Sequence, residues 1–113
     1  MPRRTYLSEF ELHILLALRR LGAEAYGVAV RQKIEERSGR RVWVGPLYTA
    51  LARLERDGYV RVTISEPIAI RGGRSRKYYH LTAAGGRALR ESLDMIDRMR
   101  RGLSLGTLRG STR

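Results

Sequence analysis

The hydrophobic residues of this chain recur at helical spacing from Phe10 to Leu54, switch to strict alternation between Val60 and Ile64, and return to helical spacing after Thr82. That order limits the fold to a mainly α domain with a small β-hairpin. A period of 3.6 collects apolar residues on one face of a helix, whereas a period of two collects them on one face of a strand. Ser8, followed three residues later by Glu11, reads as a capping box, and Phe10, Ile14, Leu18 and Leu21 carry a helix over 8–21. Leu12, Leu15 and Leu16 lie on a different side, so this helix asks for more cover than one small core supplies. Gly22 ends it. Tyr26, Val30 and Ile34 predict a second helix to about Arg37, stopped by Ser38-Gly39.

Val42-Trp43-Val44 predicts a brief strand with Trp43 packed in the core. Gly45-Pro46 then opens a third helix, since proline suits a first helical turn. Leu47, Leu51 and Leu54 face inward, Tyr48, Thr49, Ala52, Arg53 and Arg56 face outward, and Gly58 closes the helix. Val60, Val62 and Ile64 alternate with polar residues as a half-buried strand whose return partner is Lys77 to Leu81. Thr82 caps a last helix to about Arg101, in which Leu89, Leu93, Ile96 and Leu103 trace a seam beside Met95 and Met99. With no core left to join in one chain, that seam predicts self-association. The tail from Gly102 reads as frayed.

At 113 residues the chain has room for one domain. No run approaches the roughly 18 apolar residues of a membrane span, so a soluble, cytoplasmic protein is expected. Cysteine is absent and the only histidines are His13 and His80, which excludes disulfides and thiolate chemistry and leaves no expected metal or cofactor. His13 lies in a helix and His80 in a strand, with neither a Gly-rich phosphate loop nor a nucleophile elbow nearby, so no enzymatic role is expected. The net charge of +12 points instead to a polyanion. All basic residues but Lys33 and Lys77 are arginine, which suits bidentate phosphate and guanine contacts and is also what a GC-rich genome produces. Residues 71–77 concentrate four of these charges around Gly72-Gly73 between the two strands.

Helix, helix, short strand, helix, strand, basic loop, strand is the order of a winged helix-turn-helix, here over residues 1–81, with a dimerisation helix at 82–101 and a tail at 102–113. In such a module the helix spanning 46–57 would enter a DNA major groove and the hairpin loop, 67–77, would reach an adjacent groove or the backbone. Tyr48 and Thr49 in the first turn, Arg53 and Arg56 further along, and Arg71, Arg74, Arg76 and Lys77 in the wing are the candidate DNA contacts. Leu12, Leu15, Leu16, Leu89, Leu93, Ile96 and Met99 are the candidate dimer interface. A basic RNA-binding or ribosome-associated winged helix would explain the charge equally well, but not the seam.

Tyr26-Gly27, then Leu47-Tyr48-x-x-Leu51-x-x-Leu54-Glu55-x-x-Gly58, then Arg76-Lys77-Tyr78-Tyr79-x-Leu81-Thr82 closely resembles the PadR-like transcriptional regulators over about residues 8–100. The single C-terminal helix resembles the smaller subgroup of that family. The resemblance implies a homodimer in which the last helix packs on helix 1 of the other subunit, and two recognition helices that bind a palindromic operator on double-stranded DNA as a repressor. Tyr48 matches the family's recognition-helix tyrosine, and Arg74, Arg76 and Lys77 fall in its wing. Gly45 stands where the family often has Ser, which removes a side-chain cap. Gly85-Gly86 replaces stronger helix formers, at roughly 1 kcal/mol per glycine. Some members hold flat aromatic compounds between tryptophans of the last helix; that helix has none here. The sequence names neither a small-molecule effector nor a site for one.

Overall fold

A computed structural model describes residues 6–66 and 75–104. Its elements are α1 (Glu9–Leu21), a single 3-10 turn at Gly22–Glu24, α2 (Gly27–Ser38), α3 (Val44–Arg56), β1 (Val60–Ile64), β2 (Lys77–Leu81) and α4 (Ala83–Arg100). The capping box forms at α1: Ser8 Oγ accepts from the Glu11 N–H at 3.2 Å, and Glu11 Oε1 accepts from the Ser8 N–H at 2.8 Å. Thr82 does the same work at α4, its hydroxyl accepting from the Gly85 N–H at 3.0 Å while donating to the Gly58 carbonyl at 2.7 Å. The second bond ties the end of the α3 turn to the start of α4.

α1 is the central helix, packed against α2, α3, α4 and β2. This corrects the expectation that its second apolar face waits for a partner. Ile14, Leu15 and Leu18 are buried on one chain's own elements, and so is Leu12. Leu89 is likewise buried, joined to the same core with Ala88, so the first part of the α4 seam has a place inside the chain. Leu93 packs partly against that core. Among the large apolar residues of α1 and of the seam along and just beyond α4, Leu16, Ile96, Met99 and Leu103 are left exposed. Ser92, fully buried, accepts from the Leu7 N–H at 2.9 Å and so fastens the segment before α1 to α4.

The predicted strand at 42–44 does not form. Val42 is buried and its N–H donates to Glu35 Oε2 at 2.8 Å, while Val44 is already the first residue of α3. Residues 42–44 pair with neither strand, and the outer edge of β2 is instead bridged by the chain around Tyr26: Tyr26 and Tyr78 form a β-bridge and the Tyr79 N–H donates to the Ala25 carbonyl at 2.8 Å. β1 and β2 pair antiparallel from Val60 opposite Leu81 to Ile64 opposite Lys77.

Candidate nucleic-acid interface

α3 is two-sided. Leu47, Ala50, Leu51 and Leu54 are buried against the rest of the chain, and Tyr48, Thr49, Ala52, Arg53 and Arg56 stand on the exposed side. Pro46 is the third residue of the helix, where its missing N–H costs no intrahelical bond. No side chain caps the α3 N-terminus. Its first backbone N–H groups and the positive end of the helix dipole therefore face outward, an arrangement that favours an anion.

Tyr48 is held by a close approach. Its hydroxyl lies against the backbone of Gly27, so closely that a Cβ at position 27 would overlap it. The absent side chain at Gly27 thus lets the tyrosine cross from α3 to the start of α2 while its ring stays part-exposed. Arg53 is half-exposed and sits 3.8 Å through Nε from Oε2 of the buried Glu11, which links the outer side of α3 to the α1 capping box. Arg56 is exposed at the far end of the same face.

At the hairpin, the Arg76 guanidinium lies over the Tyr26 ring at 3.9 Å, and Tyr26 meets Tyr78 edge-on with centroids 5.9 Å apart. The ladder continues one pair beyond the strands, since the Ser65 N–H donates to the Arg76 carbonyl at 2.8 Å. Arg76 is thereby directed along the start of α2 rather than projecting freely. Lys77 is exposed opposite Ile64. Arg71 and Arg74 lie outside the described residues.

Trp43 is 64% exposed, not part of the core. The backbone is extended where it enters α3, so Val42 pointing inward leaves Trp43 pointing out. With Val44, also exposed, it forms an apolar tip at the α3 N-terminus, and the Arg41 guanidinium stands 5.3 Å from the indole centroid. Sequence reasoning missed these three residues. The signal available was alternation: in an extended run an inward Val42 puts Trp43 outward.

Among the described residues no group of three or more His, Asp or Glu side chains could hold a metal, and no helix is long and apolar enough to cross a membrane. One phenol stands out electrostatically. Tyr79 is held above its usual value near 10 first by burial, then by the nearby Tyr48 and Glu55.

The chain is 37% identical over 78 residues to transcriptional regulator Rv3488 of Mycobacterium tuberculosis, covering 69% of this chain and 68% of that protein. Its fold is similar to a PadR-like transcription factor from Bacteroides fragilis, with a TM-score of 0.70, 31% identity, and 80% and 82% of the two chains covered. It also resembles F93 from STIV, a winged-helix DNA-binding protein, with a TM-score of 0.68 at 20% identity over 88% of this chain and 99% of that one. The family model of the PadR-like transcriptional regulators matches residues 14–91. The winged-helix fold, the identity to Rv3488 and this match place the chain in the PadR-like family of transcriptional regulators.

Proposed function

We propose that two copies of this chain bind a palindromic operator on duplex DNA and repress transcription. In this reading the outer side of α3 enters the major groove and the hairpin loop reaches the flanking backbone. The observation that carries it is the two-sidedness of α3: its inner leucines are locked in the core, so Tyr48, Thr49, Arg53 and Arg56 are presented on a rigid rod. Trp43 and Val44 extend that surface at the end of the helix that meets base edges. An apolar tip there suits a thymine methyl group or a sugar, and an uncapped N-terminus suits a phosphate.

Dimerisation is supported by what the chain leaves uncovered. Ile96, Met99 and Leu103 are exposed along the end of α4 and beyond it, and Leu16 is exposed on α1. A second copy laying its α4 on α1 would cover both sets at once, which is the self-complementary form of a twofold interface.

Light scattering on the eluting protein should give a mass near twice 12.9 kDa. Fluorescence anisotropy on a selected operator should then lose more affinity than on random duplex when Tyr48 is changed to Ala. A monomer at micromolar concentration would remove the palindrome-reading dimer, and equal losses on both DNAs would make Tyr48 a positioning contact rather than a base-reading one.

A further inference from the structure

The hairpin has a second end, away from its loop. Arg61 pairs with His80 three residue pairs from the Ile64–Lys77 end, about 10 Å along the strands. There the base of the hairpin, the end of α1 and the start of α4 enclose a groove of about 650 Å³, within the roughly 300–1,000 Å³ of small-molecule sites. Arg19 enters from α1, Arg61 and His80 from the hairpin, and Arg87 and Arg90 from α4, with Leu18 and Leu81 as apolar lining. No carboxylate lines it.

What sets the charges in this groove apart is that they share one concavity. Arg31, Lys33, Arg40, Arg53 and Arg100 each stand within 4 Å of a carboxylate. Among the described residues Arg19, Arg61, Arg87 and Arg90 have no ion pair. Four guanidiniums from three elements line one concavity, which gives it a positive potential that favours an anion. Each presents a planar fork of donors matched to phosphate oxygens. The His80 ring is steadied there by a 2.8 Å hydrogen bond between Nε2 and Thr63 Oγ1.

We propose that this groove binds a small ligand carrying two or more phosphate groups. A diphosphate offers forks arriving from α1, β1 and α4 more acceptor oxygens and more negative charge than a single phosphate does. The same chemistry could be offered by the backbone of a passing duplex, so the test must separate the two sources.

The probe is inorganic pyrophosphate, titrated calorimetrically into the full chain at low salt without divalent metal. The expected result is saturable binding at one site per chain. Affinity should fall roughly tenfold or more in Arg87→Ala/Arg90→Ala and in Arg61→Ala, each checked for folding by circular dichroism. Arg98→Ala/Arg101→Ala, which removes the same charge outside the groove, should leave binding unchanged. Random-sequence duplex affinity should also be unchanged in Arg87→Ala/Arg90→Ala. Absence of saturable binding to the wild-type chain overturns the proposal, and so does equal weakening by the control pair, which would mean diffuse charge attraction. Loss of duplex affinity in Arg87→Ala/Arg90→Ala without pyrophosphate binding would assign the groove to DNA backbone instead.

Discussion

Gly27 and Tyr48 act as one unit. The glycine gives the tyrosine hydroxyl its place against the α2 backbone, and the tyrosine is at the same time on the exposed side of α3. Gly27→Ala should therefore destabilise the chain by about 1–3 kcal/mol, as overpacking does, despite the better helix propensity of alanine. Tyr48→Ala removes the obstacle, so in the double variant the cost of the added methyl should largely vanish. Denaturant unfolding of the four proteins in a double-mutant cycle measures this, and additive losses would contradict the close approach. Tyr79 gives a second test at the same scale. Its folded-state value is raised, so its contribution is fully present below the unfolded value of about 10 and is lost as pH rises through the folded one. Wild-type stability should fall above about pH 10 more steeply than that of Tyr79→Phe, followed by thermal unfolding as a function of pH. Parallel curves would show that burial does not hold this phenol neutral.

At the level of elements, the four helices and the hairpin were legible because caps and periodicity agree: Ser8 with Glu11, Gly39 in the left-handed region after α2, and Thr82 before α4 all end or begin helices where the sequence predicts. The strand at 42–44 was not, because β propensity is local and strand pairing is not. The Tyr26 segment, not residues 42–44, bridges the edge of β2. The exposure of Trp43 follows from the same error, since a residue assigned to a buried strand is assigned to the core. Gly85-Gly86 shows how two identical residues can differ. Seen in sequence both loosen the first turn of α4, but a Cβ at Gly85 would collide with the Tyr59 carbonyl, while one at Gly86 meets open space. Gly86→Ala should accordingly stabilise by about 0.5–1 kcal/mol and Gly85→Ala destabilise by about 1–3 kcal/mol. Thermal melts of the two single variants check this, and shifts of the same sign would refute the packing argument.

At the scale of the whole molecule, the candidate interface residues divide by what one chain can bury for itself. Leu12, Leu15 and Leu89 are consumed by the internal core, and periodicity alone could not say so, because it shows which residues share a face and not which element covers that face. Leu16, Ile96 and Met99 stay uncovered, and Met99 is 73% exposed. Ile96→Asp/Met99→Asp should shift the protein to monomer by light scattering while leaving helical content intact, because neither side chain supports the chain's own fold. A variant that unfolds would show that these residues belong to the core after all. The net charge of +12 divides in the same way. Some of it is tied up in ion pairs, as at Arg31 and Arg40, and some lines the groove between Arg19, Arg61, Arg87 and Arg90. The outer side of α3 and the hairpin carry the part assigned to DNA. Selection of bound duplexes from a random DNA pool tests that assignment most directly. The account predicts an enriched palindrome with half-sites about one helical turn, roughly 34 Å, apart; recovery of unrelated sequences with no shared half-site would contradict it.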